Sequence, residues 1–165
     1  MAFNAILLWL HVFTGAGWFG AVMLFALVVG PTIGDFSPPT SAEVVVKMLP
    51  KYLRFIVIFT LLTPILGLVT IIASSNGDFS VFAPSTSFGA YMSAGAILSL
   101  VSWLVVFAVV YPTGRKIVKI TEEFVKNQTP QPPGLPRLAM RLKISSGIGL
   151  ALLIAILVCM VAASS

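Results

Sequence analysis

Charge is scarce in this sequence. Asp, Glu, Lys and Arg make up 9% of its 165 residues, hydrophobic residues make up 58%, and mean hydropathy is +1.05. That leaves too little polar surface for a soluble domain of this length and points to an integral membrane protein. Histidine and cysteine occur once each, as His11 and Cys159. An internal disulfide is therefore excluded, and so is a pair of histidines from this chain on one metal or haem. The apolar stretches lack a carboxylate pair, a nucleophile beside a histidine, a phosphate-binding glycine loop and a metalloprotease motif, which removes the common catalytic constellations. Met1-Ala2-Phe3-Asn4 has no basic side chain and the apolar run after it is long, so the first span is expected to stay in the membrane rather than be cleaved as a signal peptide.

What is present is four apolar stretches, at about residues 5–30, 53–73, 88–111 and 144–163. Each matches the roughly 20 residues that cross a hydrocarbon core. The expected fold is an all-α integral membrane protein, a four-transmembrane-helix up-and-down bundle with a cytoplasmic amphipathic helix after the third span. All of 1–165 is used by one membrane domain. No internal repeat is apparent beyond the apolar character of the spans.

The connections carry their own signals. Gly30-Pro31 is expected to stop the first helix, and Asp35 to Pro39 reads as a turn. Thr40-Ser41-Ala42-Glu43 offers a capping box for a short surface helix over 44–49 that Pro50 breaks. Pro64 is expected to kink the second span by taking the helical donor from the Thr60 carbonyl. The third span is expected to end at Tyr111-Pro112. Beyond it Ile117, Ile120 and Phe124, with Val118 and Val125, form an apolar stripe at the membrane surface or against a partner. Pro130, Pro132, Pro133, Gly134 and Pro136 predict a stiff return. In the fourth span Gly147, Ala151, Ala155, Cys159 and Ala163 recur every four residues, a small-residue seam for another helix. Leu at Gly147 or Ala155 is expected to loosen that packing.

All ten Lys and Arg residues lie within 47–54 and 115–143, in or beside the first and third connections. The positive-inside rule then places those loops in the cytoplasm and both termini, with the Asn76-Gly77-Asp78 loop, outside the plasma membrane. The net charge of +5 suits anionic lipid headgroups at the cytoplasmic face and does not call for nucleic acid. Asn127-Gln128-Thr129 matches a glycosylation sequon on the wrong side for that modification.

His11 is the main candidate for chemistry. An ionisable side chain at membrane depth is a functional hypothesis when it faces the bundle. His11, Gly15 and Trp18 follow at i, i+4 and i+7, so they share a helix face that a neighbour can approach closely. Met92, Cys159 and Met160 belong to the same leaflet and with His11 would make a copper(I)-type donor set. The plainer reading is that the methionines fill gaps and Cys159 belongs to the packing seam.

Leu10-His11, Trp18 seven residues after the histidine, and Gly20 resemble the first-span pattern of the copper resistance D family and of the related HemJ-type protoporphyrinogen oxidases, over about twenty residues. The resemblance implies a small multi-span bundle that handles copper or haem, with His11 as the cofactor ligand. The chain has no second histidine and no lysine within a later span. Three functions are therefore expected in order. The first is a non-catalytic accessory subunit of a larger membrane-bound redox or copper enzyme, contributing packing to other membrane subunits. The second is a haem- or copper-binding protein using His11, and the third is a small permease.

Overall fold

The computed structural model describes residues 2–127 and 132–164. Six α-helices, α1 (Ala2–Leu24), α2 (Gly30–Asp35), α3 (Pro38–Ser74), α4 (Ser87–Val105), α5 (Tyr111–Asn127) and α6 (Leu135–Ser164), join into four long rods. The described residues contain no strand. Each rod is long and apolar enough to cross a membrane, giving an all-helical four-span bundle and a multi-pass membrane protein. α1 packs chiefly on α3 and α4 on α6, so the chain is two antiparallel helical hairpins, with α5 lying on α3 to hold them together.

Neither expected proline stop is a stop. The first rod continues past Gly30-Pro31 to Asp35, and the third continues past Tyr111-Pro112 to Asn127. In each, a five-residue π turn ends two residues before the proline, at Phe25–Val29 and Val106–Val110. Gly30 N–H donates to the Phe25 carbonyl and Tyr111 N–H to the Val106 carbonyl, five residues back. The widened turn re-registers the bonding just where proline supplies no N–H and its ring would press on the preceding turn. Val28-Val29-Gly30-Pro31-Thr32 and Val109-Val110-Tyr111-Pro112-Thr113 carry this device in the same register. The chain therefore repeats one structural element once per hairpin, contrary to the expectation of no repeat.

Pro50 does not break its helix either. α3 begins at Pro38, a residue suited to the first helical position, and runs through Pro50 and Pro64 to Ser74. Leu49 and Leu53, on either side of Pro50, are 4% and 1% exposed, so close packing flanks the missing backbone bond on both sides. The turn before α3 is only Phe36–Ser37. Ser41 Oγ–H donates to the carbonyls of Ile33 (2.6 Å) and Phe36 (3.3 Å), tying α2 to α3, while Glu43 pairs with Lys47 rather than closing a capping box.

The amphipathic segment is not a detached surface helix. α5 continues the third rod and buries Thr113, Gly114, Ile117, Val118 and Thr121, leaving Arg115, Lys116 and Lys119 outward. Its apolar stripe is thus largely spent inside the chain. Phe25, Leu49, Leu53, Val110, Ile117, Val118 and Leu142 form the core at that end. Trp18, Val22, Ile56, Val106 and Leu153 form a second layer nearer mid-span. The stiff return lies partly outside the described residues, at 128–131, as does most of the sequon. Its described end is a turn at Pro133-Gly134, with Leu135 N–H donating to the Pro132 carbonyl at 3.1 Å.

The α6 seam does not face one neighbour. The helix buries Leu142, Ser145, Ser146, Gly149 and Leu153 instead. A row repeating every four residues drifts about 40° per step on a helix of 3.6 residues per turn, so it wraps roughly 160° from Gly147 to Ala163. Its far end meets α4, where a Cβ at Gly95 would lie 3.6 Å from Cys159 Cβ, whereas Gly147 and Ala151 are exposed.

The loop between hairpins turns on Asn76 and Gly77, both at positive φ (52° and 83°). Asp78 caps the short 3₁₀ turn Phe79–Phe82, accepting from Ser80 Oγ–H (2.7 Å) and Ser80 N–H (2.8 Å). Those two bonds hold its carboxyl below the usual carboxylate range. Gly89 then lets α4 start beneath the Ala83 carbonyl.

Two glycines separate close approach from open surface. A Cβ at Gly89 would collide with the Ala83 backbone carbonyl, so Gly89→Ala should cost about 1–3 kcal/mol. Gly147 has nothing within 4 Å of such a Cβ, so the clash expected for Leu there is withdrawn, and Gly147→Ala should gain up to about 1 kcal/mol in helix propensity. Thermal unfolding in detergent checks the order, and equal midpoints for both variants would contradict it.

Candidate functional site

The face of α1 that meets α3 carries the candidate residues. His11 is half-buried, and its Nδ1 lies 2.9 Å from the Thr63 carbonyl oxygen. A carbonyl only accepts, so Nδ1 carries the hydrogen, and in the neutral tautomer that makes this bond the lone pair is on Nε2. The imidazole rests on Gly67, where a Cβ would be 2.8 Å from His11 Cε1 and 3.1 Å from Nδ1. One turn along, Gly15 faces Thr63, whose Cγ2 would be 3.6 Å from a Cβ there. The His11/Gly15 pair at i, i+4 thus meets a Thr63/Gly67 pair at i, i+4 running the opposite way. Phe59 fills the space left by Gly17, and it stacks on Phe55 with centroids 4.1 Å apart.

That register extends inward. Three residues beyond Gly15 is Trp18, and three before Thr63 is Thr60, so the two occupy one level of the antiparallel pair. Trp18 is 2% exposed and Thr60 0%, and neither Trp18 Nε1 nor Thr60 Oγ1 has a hydrogen-bond partner. Ser102, 1% exposed, also has an unpartnered hydroxyl and sits one turn before Val106 of the same core layer. Pro64 takes the α-helical donor away from the Thr60 carbonyl as well. With the buried Ser146 hydroxyl of α6, the bundle interior therefore presents one N–H and three hydroxyls with unspent hydrogen-bonding capacity among the described residues. Thr14, also buried, is spent locally, its Oγ1–H donating to the Leu10 (2.9 Å) and His11 (3.0 Å) carbonyls.

The copper-type donor set is not brought together by any contact of these residues. His11 lies between α1 and α3, whereas Cys159 and Met160 pack on Gly95 within the α4/α6 hairpin. Among the described residues no three His, Cys, Asp or Glu side chains are grouped to hold a metal. His11, Gly15 and Trp18 do share the inward face expected of them. Sequence reasoning missed Thr63 and Gly67 as the seat of the imidazole, although Thr63-Pro64 followed by Gly67 repeats the His11/Gly15 spacing on a second span. It also missed Thr60 and Ser102, because single hydroxyls in apolar helices carry no positional signal until the packing is known.

No family model, no curated protein and no solved structure matches this chain.

The His11–Gly67 contact predicts a non-additive pair. Gly67→Ala should drive the imidazole off the Thr63 carbonyl and cost on the order of 1–3 kcal/mol. In a His11→Ala background the same change should be nearly neutral, giving a coupling of roughly 0.5–3 kcal/mol in a double-mutant cycle of unfolding free energies. Strict additivity would show that the ring does not rest on Gly67.

Proposed function

We propose that this chain is a non-catalytic subunit of a larger membrane-bound redox or copper enzyme, contributing helix packing to its neighbours. The observation that carries the reading is the inner half of the α6 small-residue row. Gly147 and Ala151 are exposed, and nothing lies within 4 Å of a Cβ placed on Gly147. In lipid, helices associate through close van der Waals contact and interhelical hydrogen bonds, which small residues permit. The first-span resemblance to copper- and haem-handling bundles directs the choice of assembly.

A second reading rests on His11. Histidines that bind metals almost always donate their other ring N–H to a carbonyl or carboxylate, which is the arrangement His11 makes with Thr63. Nε2 would then be the ligand atom for haem or copper. With one histidine in the chain, another histidine ligand would come from a second polypeptide.

The membrane is read as the plasma membrane, with both termini and the Asn76-Gly77 loop outside and α5 with its basic neighbours in the cytoplasm, on the distribution of Lys and Arg. In a Cys159→Ser background, an impermeant thiol reagent applied from outside should label Asn76→Cys and spare Lys126→Cys. The reverse pattern would overturn the orientation.

Extraction in mild detergent tests the function. The chain should come out with larger subunits that hold the cofactor, and should carry no haem or copper once separated from them. Recovery as a discrete particle with its own haem or copper, lost in His11→Ala, would replace the first reading with the second.

A further inference from the structure

We propose that the cleft between α3 and α5 is a binding site for the phosphate headgroup of one anionic phospholipid. The cleft measures about 890 Å³ and is framed by Lys51 and Arg54 on α3 and by Tyr111 and Arg115 on α5, with Phe55 and Ile58 along one wall. Its height is fixed by a close helix contact. Gly114 accepts Leu53, whose Cδ2 would be 2.8 Å from a Cβ there, and Arg54 and Arg115 are the next residue on each helix. On antiparallel helices at 1.5 Å per residue, the two guanidinium-bearing positions are within about 3 Å of one height. Lys51 is one turn before Arg54, so three cations gather at one mouth.

These cations are uncommitted. Among the described residues the ion pairs are Lys47–Glu43 and Lys119–Glu123, and the cleft lining contains no carboxylate. All three side chains are exposed and free to turn toward an anion. Arginine presents a planar fork that matches phosphate oxygens two at a time, and two such forks at one height can hold a single phosphate.

The apolar wall decides which phosphate. From Arg54 the α3 surface runs through Phe55 and Ile58, both exposed, into the apolar part of the span. A cationic mouth above an apolar throat that opens to lipid fits a headgroup with acyl chains below it, and basic pockets between spans are the recognised form of such sites. Free inorganic phosphate would satisfy the cations and leave the throat unused.

The inference stands apart from the subunit reading, since it needs only the isolated chain. The purified protein is transferred to mild detergent and offered phosphatidylglycerol, phosphatidylcholine or inorganic phosphate, and retained lipid is counted by native mass spectrometry. The chain should retain about one phosphatidylglycerol in preference to phosphatidylcholine, and millimolar inorganic phosphate should not displace it. Arg54→Gln with Arg115→Gln should weaken retention about twenty-fivefold, at about fivefold per cation removed. Lys126→Gln, an exposed cation outside the cleft, is the control and should retain lipid as the wild type does. Arg54→Lys with Arg115→Lys keeps the charge and the fold while losing the forks, and should fall between wild type and the Gln pair. Equal retention of both lipids, displacement by inorganic phosphate, or undiminished retention in both arginine pairs would each overturn the proposal.

Discussion

Inside a bilayer an apolar side chain gains little by leaving lipid for another helix, so these four rods must be held by contact closeness. Each main interface solves this in the same way, with a glycine on one helix receiving a large side chain from the next. Gly67 takes His11 and Gly17 takes Phe59 between α1 and α3. Gly114 takes Leu53 between α3 and α5, and Gly95 takes Met160 between α4 and α6. Dispersion falls off within an ångström of optimal separation, so removing one side chain to seat another gains contact along both helices. The same constraint explains why the many exposed leucines, valines and isoleucines need no partner: lipid serves them as well as protein.

Closeness also limits what the backbone can do at the prolines. A hard break at Pro31 or Pro112 would expose several carbonyls and N–H groups where the rods leave the membrane. The π turns before them keep the helices continuous and carry the chain on to a packed end beyond the apolar stretches. That continuity lets α5 reach Leu53 and bury Ile117 and Val118, and so lets the second hairpin grip the first. Without it the two hairpins would meet mainly through α6 against α1.

Long apolar runs made the four spans legible from sequence, because length and hydropathy are properties of the run itself. Helix ends were less legible. Proline is a local stop signal, and it was overridden at Pro31 and Pro112 by the π turns before them and at Pro50 by the packing of Leu49 and Leu53 on either side. The α6 seam misled for a geometric reason, since a four-residue spacing looks like a face in sequence and is an inclined row on a helix. At the candidate site, the inward face of His11, Gly15 and Trp18 followed from spacing alone. The seat on Thr63 and Gly67 did not, because register between two apolar helices is set by a few small residues that hydropathy does not weight.

The unspent polar atoms at the centre of the α1/α3 pair differ in whether they can find a partner on their own helix. A serine or threonine hydroxyl within a helix can rotate to the carbonyl four residues back, as Thr63 does to Phe59 (2.8 Å) and Thr70 to Leu66 (2.7 Å). Thr60 and Ser102 have that recourse. Trp18 has none, because its Nε1–H is fixed in the plane of a ring whose side chain is 2% exposed. Leaving such a donor unpaired costs about 1–3 kcal/mol. The level opposite Trp18 is Thr60, where Pro64 has taken the helical donor from the carbonyl and the hydroxyl is also available. By register, a donor without an acceptor and acceptors without a donor therefore share one level of the α1/α3 pair. Pro64 thus leaves α3 an unspent acceptor at the level where α1 carries an unspent donor, while neither Trp18 Nε1 nor Thr60 Oγ1 has a hydrogen-bond partner within the chain.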